Sequence, residues 1–334
     1  MRARGIRISP EGAEGCRRRL QQLGLLDRTL RSVSLDGMIV FPVTAYPAKL
    51  EEGERCEADF PDSSSRENYR DIVELPDDAM PLLPSSFDMI GTKALVKLPP
   101  ELERFGGEIG RAILEAHGSL DSVFQDRGVA GEFRLRRLTL LAGKGGTETK
   151  LNEYGLRMAL DVAKTFYSPR LASERRRIGI AVAPGERVLD MFAGVGPFAL
   201  HAARSASSGH VVAIDINPYA VSYMKENAAS NSAGNMEAHL MDAAEYTGGP
   251  FDRIIMNLPA GGAGFVGRAL AMLADGGTVD YYELIEDRNL EKRILSLEAE
   301  GGRVESHRKV KSYSPVQGIY HFAIRKALNR GARG

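Results

Sequence analysis

The stretch VLDMFAGVGPFALHAA, Val188 to Ala203, reads as a buried strand, a glycine turn and the start of a helix. Gly194 and Gly196 permit a tight turn and close approach of the backbone to a ligand. A lone G-x-G is a weak signal, and the third glycine of the dinucleotide fingerprint is missing. The surrounding spacing carries the weight instead. From about Phe166 onward strand patterns alternate with helical ones: RVLDMFA, a helix, HVVAIDI, a helix, FDRIIMN, a helix, and GTVDYYEL. That alternation predicts right-handed βαβ units and a doubly wound, Rossmann-like α/β domain. Ligands of such sheets sit at the carboxyl ends of the strands.

Acids fall at those ends: Asp190 after the first strand, Asp215 after the second and Asp242 after the third. Asp215 can accept both ribose hydroxyls, and Asp242 can receive an adenine amino group. So many carboxylates would repel a pyrophosphate. They suit adenosine with a cationic amino-acid tail, which points to S-adenosylmethionine rather than a nicotinamide cofactor. A second loop, IIMNLPAGGAGFV (Ile254 to Val266), interrupts a buried strand with Asn257-Leu258-Pro259 and then glycine. It reads either as a plain strand-to-loop turn or as a pocket holding a planar, hydrogen-bonding substrate.

At 334 residues the chain has room for two or three domains. With 43% hydrophobic and 26% charged residues it has the composition of a soluble globular protein. No apolar run is long enough to span a bilayer, and the basic N-terminus lacks a secretory h-region. Cys16 and Cys56 make neither a disulfide framework nor a zinc site, no cluster has metal spacing, and a reducing cytosol is expected. The net charge is zero but unevenly spread, with 11 Lys and Arg against 5 Asp and Glu between Gly131 and Arg177. A local basic surface of that kind suits a polyanion, though scattered arginines on a solvated face look the same.

Three regions are expected. Residues 1–84 hold one helix (GAEGCRRRLQQLGLL), one strand (SVSLDGMIVFPV) and an acidic, proline-rich linker from about Glu51 to Pro84. Residues 85–165 read as α+β, and residues 166–334 as the Rossmann-like domain. The Tyr281-Tyr282 pair and the isolated histidines read as core or surface.

The segment ETKLNEYGLRMALDVAKTFYSPRLASERRR, taken with DMFAGVGPF, Asn257-Leu258-Pro259 and the late VKSYSPVQGIYHF, resembles the archaeal and eukaryotic tRNA guanosine-37 N1-methyltransferases. The likeness runs nearly the full length. It implies a methyltransferase domain preceded by an α+β middle domain and a small N-terminal domain that feels the tRNA body, with Arg17-Arg18-Arg19 suited to phosphate contact. Methyl transfer to guanine N1 requires loss of the N1 proton, and the resemblance puts Glu174 in that general-base role. It puts Arg134 beside O6, where negative charge develops. Asn257 then positions the base edge, Pro259 shapes the pocket and exposes neighbouring backbone carbonyls, and Phe166, Tyr167 and Leu258 are further substrate contacts. Around the cofactor the resemblance implies Arg175, Asp190, Phe192, Ala193, Gly194, Gly196, Asp215, Ile216, Asp242, Ala243 and Asn257.

Two departures stand out. Many relatives have tyrosine at Phe166, whereas here tyrosine is the next residue, and Gly262 and Gly264 replace an alanine and an acid. A sister enzyme that transfers the aminocarboxypropyl group of the same cofactor generally lacks Asn-Leu-Pro. A bifunctional enzyme also methylating a tricyclic guanosine derivative stays open. A decayed, non-catalytic tRNA-binding module would be expected to have lost the base, the arginine and the acids, all of which are present. The expected partner is tRNA with G at position 37, bound by a cytoplasmic monomer.

Overall fold

The computed structural model describes residues 1–27, 29–47, 49, 53–61, 68–207 and 209–326. The chain divides into two compact units, Met1–Met80 with Glu115–Gly118, and Pro81–Leu114 with Ser119–Gly334.

In the first unit β1 (Arg2–Ile8), α1 (Ala13–Gln22), β2 (Val33–Leu35), β3 (Met38–Pro42) and β4 (Glu54–Asp59) form an antiparallel sheet of order β2-β3-β1-β4 with one helix. Period-two alternation puts Ile6 and Ile8 with Phe41 and Val43 against Leu20 of α1. Val40, Ala58 and Phe60 form a second small core. Arg17, Arg18 and Arg19 lie on the exposed side of α1. SVSLDGMIVFPV is a hairpin rather than one strand, because Asp36 and Gly37 take φ of 51° and 77° and turn the chain. The acidic run read as a linker contains β4, paired with β1 from Arg2↔Asp59 to Arg7↔Glu54. An edge strand exposing most of its side chains has no apolar period to reveal it. A short helix, α2 (Tyr69–Ile72), follows with Asn68 as its cap. Residues 51, 52 and 62–67 of the expected linker, including its serine triplet, lie outside the described residues.

The second unit begins with β5 (Asp88–Ile90), β6 (Lys93–Val96), α3 (Gly106–Ala116), β7 (Ser122–Ala130) and β8 (Leu135–Gly143). These strands pair in sequence order, with β6 and β7 parallel. A hairpin of β9 (Glu148–Glu153) and β10 (Leu156–Asp161) follows. Then come α4 (Ala172–Ala181), β11 (Arg187–Asp190), α5 (Pro197–Ser205), β12 (His210–Asp215), α6 (Pro218–Ser230), β13 (Met236–Leu240), β14 (Phe251–Met256), α7 (Val266–Met272), β15 (Leu273–Glu286), α8 (Leu290–Ala299), β16 (Gly302–Ser314) and β17 (Gln317–Lys326).

Seven strands form one sheet in the order β13-β12-β11-β14-β15-β17-β16. The first five are parallel, while β17 runs antiparallel to β15 and β16 antiparallel to β17. Apolar clusters cover the two faces, one around Leu189, Ile254, Val279 and Phe322, the other around Val188, Ala213, Ile255 and Tyr282. On the second face α4 and α5 lie so close that a Cβ on Gly179 would meet His201 Cβ at 2.8 Å.

Candidate active site

The chain leaves β11 to build β12 on one side and returns with β14 on the other. This is a topological switch point, the place where sheets of this kind form their ligand crevice, between the loops after β11 and β14. The two loops named from the sequence, Met191–Gly196 and Asn257–Gly262, are these loops. An edge-to-face contact of Phe192 with Phe265, centroids 5.1 Å apart, joins them.

The loop after β11 is shaped by its glycines. Gly194 and Gly196 have φ of 57° and 88°, and a Cβ on Gly196 would meet Met224 Cγ at 2.9 Å. Asp215 accepts from the Gly194 amide at 2.7 Å and from the Asn217 amide at 2.9 Å, which ties the loop to the end of β12. Burial raises its pKa. Asp242, at the exposed rim, caps the Ala244 amide at 2.8 Å. Ala193 and Ala243 are buried wall residues, and Ile216 is half-buried beside Asp215. Asp190 is fully buried, with neither carboxylate oxygen hydrogen-bonded by a described residue in good geometry. Desolvation pushes its pKa up to about 7, opposed in part by the Phe192 and Ala199 amides and helped by the charge on Asp215. Across the crevice, Asn257 Oδ1 is a second buried acceptor with no partner among the described residues.

The substrate candidates come from several elements: Arg134 from the β7–β8 turn, Phe166 from the loop before α4, Glu174 from α4 and Asn257 from the loop after β14. Arg134 ends the turn from Gly131 with φ of 53°, a conformation that costs a residue with a Cβ about 1–2 kcal/mol. Its guanidinium lies 5.9 Å from the centroid of the Phe166 ring, itself 37% exposed. A Cβ on Gly194 would sit 3.5 Å from the Phe166 carbonyl. Phe166 therefore bridges Arg134 and the cofactor loop. Glu174, in the first turn of α4, is 2% exposed and accepts from Tyr282 Oη at 2.7 Å and Arg177 Nη2 at 2.6 Å. Arg308 pairs with its other oxygen. Met256 is registered with Tyr281, so Asn257 leaves the sheet in the row of Tyr282. Glu174 thus touches Tyr282, the residue next in register to Asn257.

Three expectations need correction. Tyr167 is buried at 4% exposure, and its hydroxyl donates to Glu153 Oε2 at 2.6 Å, so the ring facing the site is Phe166. Arg175 is no cofactor ligand by its side chain: its guanidinium is spent on Glu153 at 2.8 and 2.5 Å and on the Ser168 carbonyl. His201 joins the same buried hub at 3.1 Å from Glu153, whose pKa falls to about 2 under these donors despite burial. Finally, the carbonyls around Pro259 are not free. Leu258 O accepts from the Gly262 amide at 2.9 Å, and Pro259 O from the Leu284 amide at 3.0 Å. Both Leu258 and Pro259 remain half-buried walls of the loop. Tyr282, read from the sequence as core or surface, touches Glu174; only the cross-strand register could have revealed that.

Comparison with known proteins agrees with this layout. The TRM5/TYW2 methyltransferase domain matches residues 149–306, and the TYW2 N-terminal domain matches residues 69–147. The tRNA (guanine(37)-N(1))-methyltransferase Trm5b of Pyrococcus abyssi is 39% identical over 333 residues, 96% of this chain and 97% of its own. The chain belongs to the TRM5/TYW2 methyltransferase family. The crystal structure of Trm5b from the same organism superposes with a TM-score of 0.72 at 36% identity, covering 97% of this chain and 99% of its own. The structure of TYW2 from Pyrococcus horikoshii in complex with MeSAdo reaches a TM-score of 0.65 at 30% identity. It covers 97% of its own length but only 77% of this chain. This member of the family therefore has a quarter of its length with no counterpart in that TYW2. No helix among the described residues is long and apolar enough to cross a membrane.

Proposed function

We propose that this chain transfers the methyl group of S-adenosylmethionine to N1 of guanosine 37 of tRNA, 3′ of the anticodon. One observation carries the reading over the aminocarboxypropyl alternative: the likeness to Trm5b extends over 96% of the chain, including the part that TYW2 leaves unmatched.

The residues suit the cofactor. A buried carboxylate with no hydrogen bond of good geometry among the described residues, Asp190, stands behind a loop opened by Gly194 and Gly196, where an ammonium would relieve it. Asp215 would hold the ribose and Asp242 the adenine, with Phe192, Ala193, Ile216 and Ala243 as walls. When bound, the cofactor supplies an electrophilic methyl on a sulfonium. The protein's own work is on the guanine. Asn257 offers its amide to the base edge. Glu174 takes the N1 proton onto its carboxylate, and the charge that moves to O6 meets the Arg134 guanidinium, held on Phe166 at little reorganisation cost. The target guanosine leaves its stack to enter the crevice. In this reading residues 1–84 grip the tRNA body, residues 85–165 support the active site and residues 166–334 hold the cofactor. The chain acts as a cytoplasmic monomer.

The test is mass spectrometry of nucleosides from tRNA transcripts with G or A at position 37, incubated with the protein and S-adenosylmethionine. 1-Methylguanosine in the G transcript alone is the expected result. An aminocarboxypropyl adduct, or no product from either, would overturn the reading.

A further inference from the structure

Arg134 leaves its turn with a left-handed backbone, and its guanidinium has no hydrogen bond or ion pair among the described residues. Its neighbour toward the site is the Phe166 ring, with the centroid 5.9 Å away. The contact to O6 in the proposed reaction is therefore only as well placed as that ring. A phenylalanine side chain has no polar atom of its own, so the ring must be fixed by what surrounds it.

A second arginine does this. Arg136, in the first turn of chain after Arg134 and already in β8, has its guanidinium 5.6 Å from the same centroid. Its Nη2 donates to the Tyr167 carbonyl at 3.2 Å, and its Nη1 pairs with Asp126 of β7. Nη2 also stands 3.9 Å from Asp88, which Arg170 holds at 2.6 Å. Tyr167 is tied at its other end, through its hydroxyl, to Glu153 at 2.6 Å. Held at carbonyl and hydroxyl, Tyr167 fixes the backbone from which the Phe166 ring projects.

The charges divide the two arginines by task. Asp126 and Asp88 balance Arg136, whereas Arg134 keeps no counter-ion and stays available for charge developing on O6. The side chains of Arg136 and Asp126 are 8% and 4% exposed. Taking such a pair out of water costs about what its attraction returns, and apolar residues of like volume often stabilise as well. An apolar residue, however, could neither donate to the Tyr167 carbonyl nor set a cation beside the ring.

We propose that Arg136 is a positioning residue for methyl transfer: held by Asp126, it fixes Phe166 and, through that ring, sets the Arg134 guanidinium at guanine O6. The proposal rests on Arg134 having that role.

The experiment is a double-mutant cycle in single turnover, with a tRNA transcript carrying G at position 37 and S-adenosylmethionine both at saturation. Asp126→Asn combined with Arg136→Met removes the two charges together. Its urea midpoint and cofactor affinity should stay close to those of wild type. Its methylation step should slow by about tenfold to a hundredfold, the effect of a misplaced catalytic group. In an Arg134→Ala background the same pair of changes should cost less than about a further twofold, because the group it positions is gone. An equal loss with and without Arg134, or no loss with Arg134 present, overturns the proposal. If the paired variant does not fold, Arg136→Lys enters the same cycle and is judged by the same two outcomes. It keeps a cation opposite Asp126 but lacks the fork that spans Asp126 and the Tyr167 carbonyl. Arg134→Ala alone separates the two ideas: wild-type turnover by that variant removes the O6 assignment itself.

Discussion

Replacing Asp190 with asparagine should stabilise the cofactor-free protein while weakening its grip on the cofactor. The carboxyl is fully buried with no hydrogen bond of good geometry among the described residues, and burial moves its pKa from 3.8 to about 7. A shift of about three units corresponds to roughly 4 kcal/mol against the ionised form. The sign follows from linkage. Below pH 3.8 folded and unfolded chains both hold the proton and nothing is lost. Between that value and about 7 the unfolded chain ionises while the folded one does not, so stability falls as pH rises, and above about 7 the loss is complete. Asparagine has no proton to lose. Urea midpoints of wild type and Asp190→Asn should therefore coincide most nearly at low pH and diverge toward pH 8, with the variant ahead by about 2–4 kcal/mol. An ammonium in the crevice reverses the preference, so wild-type affinity for S-adenosylmethionine should drop as pH falls below about 7, whereas the variant binds weakly at every pH. Parallel stability–pH curves for the two proteins would refute the claim that Asp190 is an uncompensated buried acid.

Arg134→Gly relieves the left-handed backbone at φ 53° and should leave thermal stability level or raise it by about 1 kcal/mol, while single-turnover methylation falls about a hundredfold. A stability loss with the rate retained would count against the O6 role. Phe166→Ala should slow methylation without a large change in stability, and Tyr167→Phe should do the reverse, costing about 1–3 kcal/mol by removing a buried donor to Glu153. Calorimetry alongside rate measurements on both variants decides which aromatic serves the substrate. Gly179→Ala places a methyl 2.8 Å from His201 Cβ and 3.1 Å from its backbone oxygen, so α4 must shift. A cost of about 1–3 kcal/mol is expected in denaturant unfolding, with slower methylation because Glu174 rides on that helix. Wild-type behaviour in both measurements would show that the packing there is loose.

The parts of the fold that announce themselves in the sequence are those with both an apolar period and a punctuating residue. RVLDMFA before Gly194 and FDRIIMN before Pro259 qualify, and they flank the crevice between β11 and β14. β4 has neither, because an exposed edge strand needs no apolar face, and it looks like an acidic linker. The closing hairpin of β16 and β17 is hidden for a related reason: β16 buries only Gly302 fully and carries three irregularities in its register. That loss matters to the site. Neighbours such as Tyr282, His321 and Arg308 are 13 to 39 positions apart along the chain, yet adjacent across strands, so no spacing rule links them to Glu174. The pair Phe166-Tyr167 makes the same point at the shortest range. Sequence puts two aromatics at the site and cannot say which faces inward. Glu153 decides it, since a buried carboxylate that already holds Arg175 and His201 takes the hydroxyl of Tyr167 as well, and the ring without a hydroxyl is left to carry Arg134.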